Sequence, residues 1–187
     1  MRIQKIGLAI LMSVIIWGCA IFGPPGRTSG QTVYNDSNFS FQYPETWQTM
    51  ADLWGNRYQP GQEYYQLGVN EITMVTSVQK QGESGAWFAV ASTPLAGTIG
   101  LEEVVNETYT PFMDTLQEYT KRSTTVAGTD GFEVMYERPW GEPWYKFRDI
   151  WLVKDSVLYV LSFHTYPNSF DSFQEDFEFI LNSFTWK

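Results

Sequence analysis

The chain has 187 residues, enough for one domain, with 43% hydrophobic and 18% charged residues, a balance that supports a packed core and excludes a disordered chain. The 12 Lys and Arg against 21 Asp and Glu give a formal charge of −9, which rules out the basic face that nucleic-acid binding needs. One Cys and one His exclude a disulfide framework, a multi-cysteine metal site and most histidine-based catalysis.

Met1–Lys5 is short and basic, and Ile6–Gly18 is an uncharged apolar run of the length of a signal-peptide core. Cys19 follows directly, with Ile16 at −3 and Gly18 at −1, the spacing of a bacterial lipoprotein signal in which the cysteine is lipidated. Trp17 departs from that pattern, because the position between usually holds a small residue. Two other readings stay open. Ile6–Gly26 is long enough to span a bilayer as an uncleaved anchor, although Pro24-Pro25-Gly26 would spoil its last turn. A plain secretory signal with an incidental cysteine is the other. All three place the remainder outside the cytoplasm, with Arg2 and Lys5 left inside. The expected division is a signal over 1–18, a Pro, Gly and Ser-containing tether over 19–31, and one globular domain over 32–187. Past Lys5, 10 bases face 21 acids, a net −11.

Phe39–Tyr43 alternates strictly and predicts a strand with three rings on one face, closed by Pro44. Ala51–Gly68 reads as irregular. Glu71–Gln79 and Ala86–Ser92 are predicted strands joined by a turn over Gln81–Gly85, and the unbroken apolar run Ala86–Ala91 predicts cover on both faces. Gly100 opens a helical stripe of Leu101, Val105, Thr108, Phe112 and Leu116, which Pro111 should kink or split near Thr108. Lys121–Val126 and Phe132–Glu137 read as a hairpin turning over Gly128–Gly131. Trp144–Val153 and Val157–Thr165 form a second hairpin across Lys154–Ser156. Val157–Thr165 is apolar on both faces and should be a central strand. The last helix is expected to cap at Ser169 or Ser172 and to bury Phe170, Phe173, Phe177, Ile180, Leu181 and Phe184, with Asp171, Glu175, Asp176 and Glu178 facing water. These parts predict a mostly antiparallel α+β fold with at least two helices on a sheet.

Their order and spacing resemble the PsbP-like family, named for the extrinsic subunit of photosystem II. The residues that carry the resemblance are Phe39–Pro44 with Trp47 three further on, the mid-chain helix over Gly100–Tyr119, and the hairpin around Gly131. The run Val153–Leu161, with its following helix ending Asn182-Ser183-Phe184, carries it furthest. The resemblance covers about Tyr34 to Trp186 and implies an α/β/α sandwich around a central antiparallel sheet. It also implies a non-enzymatic, membrane-tethered lipoprotein that binds, assembles or stabilises a membrane protein complex; no cofactor is expected from the residues themselves. The stretch Ala51–Gly85 does not align, so a photosystem role has no support from these residues.

The most unusual segment is Arg138-Pro-Trp-Gly-Glu-Pro-Trp-Tyr145, where aromatics beside an arginine sit among turn residues. Arg138, Trp140, Trp144 and Tyr145 are therefore the candidate partner-binding residues. The same rings would suit a carbohydrate or cell-envelope binding module, and packing over the sheet edge is the structural alternative. A second aromatic loop candidate is Tyr58–Tyr65. His164, the lone imidazole, has no metal or catalytic partner at a recognisable spacing and reads as a strand-end residue. No common catalytic motif is present, so a hydrolase would need an unrecognised pair among the 21 acids. The domain is expected to be monomeric, anchored to a membrane through Cys19, with no nucleic-acid partner.

Overall fold

A computed structural model describes residues 31–49, 63–67, 70–80, 85–95, 99–139 and 143–187. A large antiparallel sheet is built from β3 (Trp47–Thr49), β4 (Glu63–Leu67), β5 (Asn70–Lys80), β6 (Trp87–Pro94), β7 (Gln117–Val126), β8 (Thr129–Pro139), β9 (Trp144–Lys154) and β10 (Val157–Thr165). Its order is β3-β5-β6-β10-β9-β8-β7, with β4 also paired to β5. A small sheet of β1 (Gln31–Asn35), β2 (Phe39–Pro44) and β11 (Thr185–Trp186) lies in a second layer. Helix α1 (Leu101–Tyr109) packs on one face of the large sheet; α2 (Gln174–Ser183) and the small sheet pack on the other. Gln31, counted above with the tether, is already the first residue of β1.

β10 lies between β6 and β9, as its two apolar faces require. It sends Tyr159, Leu161 and Phe163 towards α2, and Leu158 and Val160 towards α1. The hairpins close through two-residue turns with positive φ at both positions, Ala127 and Gly128 (49° and 76°) and Asp155 and Ser156 (51° and 61°). That is the type I′ geometry, whose twist suits paired strands. The first turn is thus tighter than the predicted Gly128–Gly131. Gly131 belongs to β8, and its missing side chain has another reason: a Cβ there would run into the Trp151 carbonyl oxygen of β9.

The α2 face is a ring-packed core. Phe88 and Phe163 lie 4.6 Å apart between centroids, Phe163 and Phe177 also 4.6 Å, and Phe41 meets Phe88 edge-on at 5.0 Å. Such pairs add about 0.5–1.5 kcal/mol each beyond the burial of their area. At the side of this face Glu133 binds Arg122 and Arg148, and Arg148 reaches Glu178 of α2 (2.6 Å).

Four further expectations change. Residues 63–67 were expected to be irregular but form β4, because a stretch with two tyrosines finds a partner in β5. α1 ends at Tyr109, close to the split expected near Thr108, and passes into a 3-10 turn, Thr110–Phe112, that holds Pro111; what changes is the stripe beyond it. The change of pitch leaves Phe112 41% exposed, while Leu116 still packs half-buried on the α1-side core. α2 has no side-chain cap, because a 3-10 turn over Pro167–Phe173 runs straight into it and the Gln174 N–H donates to the Asp171 carbonyl. Ser172 instead donates to the Ser169 carbonyl. Asp176 does not face water: it is buried and accepts a hydrogen bond from Trp47 Nε1 at 3.1 Å.

Register also sets which ends of the layers coincide. Phe39 meets Tyr159 while Phe41 meets Phe88, so β2 runs towards the start of β6. Trp47 then pairs with Lys80 beside Ala86, and Gln31 pairs with Pro44. The chain therefore enters at the end of the sandwich where β8 gives way to β9. The two I′ turns sit at the opposite end.

Candidate functional site

Of the predicted contact residues, Arg138 and Tyr145 are paired across β8 and β9 and come together. Trp144 does not join them. It precedes Tyr145 in an extended strand and so points to the other face, 38% exposed. Trp140, Cys19 and Tyr58 lie outside the described residues.

Around Arg138 and Tyr145 the strands build two transverse rows on the α1 face. In the first, Trp87 of β6, His164 of β10, Phe147 of β9 and Tyr136 of β8 stand in register. Their successive centroid distances are 4.9, 5.2 and 4.9 Å, and Tyr136 stacks on Phe147 within 6° of parallel. The second row, one side-chain step further along, contains Gly85, Tyr166, Tyr145 and Arg138. Tyr145 and Tyr166 are 4.9 Å apart, with their hydroxyl oxygens 3.5 Å apart. Gly85 has φ +109°, and a Cβ there would press on the Tyr166 ring, so the glycine makes the slot in which that ring lies. Arg138 lies over Phe147 (5.1 Å) and Tyr136 (6.0 Å), a cation–π arrangement.

α1 covers the sheet only as far as the first row. Its last residue, Tyr109, meets the Tyr136 ring at 5.2 Å and donates to Asp149 Oδ2 (2.7 Å). Tyr136 donates to the same oxygen (2.8 Å), and Ser162 donates to Oδ1 (2.6 Å). Burial pushes the Asp149 pKa up, and these three bonds together with the charge of Arg138 oppose that rise. Burial, and after it the same carboxylate, pushes Tyr136 well up. Beyond the helix end Trp87, Arg138, Tyr145 and Tyr166 remain half-exposed, over His164 and Phe147, which are buried.

Electrostatically the rows hold one charge. Burial, reinforced by Arg138, lowers the His164 pKa to about 3, so the imidazole is neutral near pH 7. Burial, then Tyr166, raises Tyr145 to about 12. Arg122 and Arg148 share Glu133, whereas Arg138 rests on rings. A half-exposed aromatic surface with one guanidinium is equipped to bind; the His164 imidazole and the Tyr136 and Tyr145 hydroxyls are all moved away from neutrality. Among the described residues no group of three or more His, Cys, Asp or Glu could hold a metal ion.

Sequence reading missed Trp87, Tyr166 and the part played by Gly85 and His164. A usable signal was present: a two-residue turn at Asp155–Ser156 dictates that Phe147 stands opposite His164.

No protein-family model matches the chain, and no curated protein matches it. Solved structures do. The architecture, an antiparallel sheet with a helix on each face, is a PsbP-like α+β fold. The solution structure of cyanobacterial PsbP, CyanoP, from Synechocystis superposes with a TM-score of 0.57 at 13% identity, over 89% of this chain and 99% of that one. LpqN from Mycobacterium tuberculosis, described as involved in cell envelope biogenesis, gives 0.55 at 10% identity, over 84% and 91%. A Bacteroides thetaiotaomicron structure gives 0.52 at 10% identity, over 85% of this chain but 49% of that one. At these identities the likeness is one of fold.

Proposed function

We propose that this protein is a non-enzymatic, extracytoplasmic PsbP-like module, held to a membrane through Cys19, that binds and helps assemble or stabilise a membrane protein complex. The observation that carries the reading is the half-exposed second row, Arg138, Tyr145 and Tyr166, left uncovered where α1 stops. Rigid rings beside an arginine are the residues on which interfaces concentrate their binding energy. The fold of CyanoP and of LpqN, the latter described as involved in cell envelope biogenesis, supports an extracytoplasmic binding role.

A photo-crosslinking residue placed at Tyr145 in the full-length protein tests this. The expected result is an adduct of defined mass with a membrane protein, lost in Arg138→Ala and not formed from a probe at Asp155. Equal crosslinking from both positions, or none, overturns the docking surface. Fatty-acid labelling of the wild type but not of Cys19→Ser checks the anchor. A tryptophan fluorescence change on adding soluble saccharide, abolished by Tyr145→Ser, would move the reading to a carbohydrate-binding module.

A further inference from the structure

Both ends of the sandwich carry exposed polar side chains, Glu45, Asp114 and Glu118 among them at the end where the chain enters, but the exposed large apolar side chains gather at that end. At the far end are the I′ turns, with Gly128, Asp130, Lys154, Asp155 and Ser156 at or beside them. At the near end, beside Gln31, lie most of the large apolar side chains that are exposed among the described residues. Trp144 (38% exposed) opens β9, opposite Pro139. Phe112 and Met113 (41% and 44%) occupy the turn between Tyr109, which touches Tyr136, and Gln117, which pairs with Glu137. The fourth such residue, Val33, is on β1, two positions from Gln31.

We infer that the near end rests on the lipid bilayer, with Trp144, Phe112 and Met113 entering the headgroup region. The inference builds on the membrane-anchor reading and adds an orientation to it. Only 11 residues, 20–30, separate Cys19 from β1, a reach of at most about 40 Å when fully extended, and that link joins the near end. Tryptophan is the side chain that membrane interfaces favour, with an apolar body and an N–H for the wet layer. The chain's formal charge of −9 gives no attraction to anionic lipid, so the occupant is a neutral, phosphatidylcholine-like surface held by apolar contact. Arg138 and Tyr145, on the α1 face at the same end, would then lie close above the bilayer, level with the exposed part of an integral membrane partner.

The test uses the full-length protein on phosphatidylcholine vesicles, with nitroxide labels at Met113→Cys or Asp155→Cys. Flotation is measured first. Protein that does not float with the vesicles overturns both the anchor and the orientation. For protein that floats, the expected result is that the label at 113 is several-fold more accessible to dissolved oxygen than to a water-soluble nickel reagent, relative to the label at 155. That contrast should disappear when Phe112→Ser and Trp144→Ser are introduced together. Equal aqueous accessibility at 113 and 155 in floating protein overturns the orientation and leaves the anchor standing. A contrast that survives the double substitution overturns the part assigned to those two side chains.

Discussion

On the face covered by α2, the large sheet meets rings: Phe41, Phe88, Phe163 and Phe177 form an almost continuous apolar layer, with the Arg148–Glu133 pair at its side. On the face covered by α1, a buried carboxylate sits at mid-sheet and gathers hydroxyls from three elements, and the rings are pushed to the end beyond the helix. Among the described residues, the first face is covered by α2 and the small sheet, and the second by α1 with the flanking Leu95, Ile99 and Leu116. Stability is therefore concentrated on one side of the sheet and an available surface on the other.

Substitutions test this division. Phe177→Ala, at the centre of the ring layer, should cost about 3–5 kcal/mol of unfolding free energy, read by denaturant titration. Asp149→Asn keeps the volume but turns an amide N–H₂ towards hydroxyl donors, and should cost about 1–3 kcal/mol. A larger loss from Asp149→Asn than from Phe177→Ala would reverse the comparison.

His164 gives a third test, in pH. The unfolded histidine takes up a proton below about pH 6.5, whereas the folded one stays neutral until about pH 3. Between those values the unfolded state holds more protons, so stability falls as the pH falls, by up to about 1.4 kcal/mol per unit. Asp149 acts in the opposite sense, its raised pKa adding stability in acid. The comparison is thus between wild type and His164→Phe, and the variant should lose less stability between pH 6 and 4. Matching slopes would mean that the folded imidazole takes its proton as readily as the unfolded one. The smallest effect belongs to Tyr145→Ser: half-exposed, it should change stability by about 1 kcal/mol or less while lowering recovery of the membrane partner in co-purification.

Much of the fold was legible because it is local. The alternation of β10, the apolar run of β6 and the phenylalanine stripe of α2 each report their own burial through a period of two or 3.6. Phe112 misled because a helical stripe extrapolated past Pro111 assumes a pitch that the 3-10 turn abandons. Asp176 misled because its partner, Trp47, is 129 residues away and no periodicity connects them. The candidate site was half legible. Arg138 and Tyr145 stood out by composition, but the rows they belong to are a property of register across four strands, which parity alone does not supply. Trp144 was grouped with them by proximity in the chain, and a strand places chain neighbours on opposite faces.

The hydroxyls that converge on Asp149 come from α1, β8 and β10, which meet at no other polar side chain described above. Sliding α1 by one turn, about 5.4 Å, would carry the Tyr109 hydroxyl out of reach of a carboxylate that is only 1% exposed. An apolar face would tolerate the slip at small cost, since one aliphatic contact replaces another. The aspartate thus works as an alignment key: it admits one seating of the helix, and with it one position for the edge beyond which the rings of Tyr145 and Tyr166 are only partly covered.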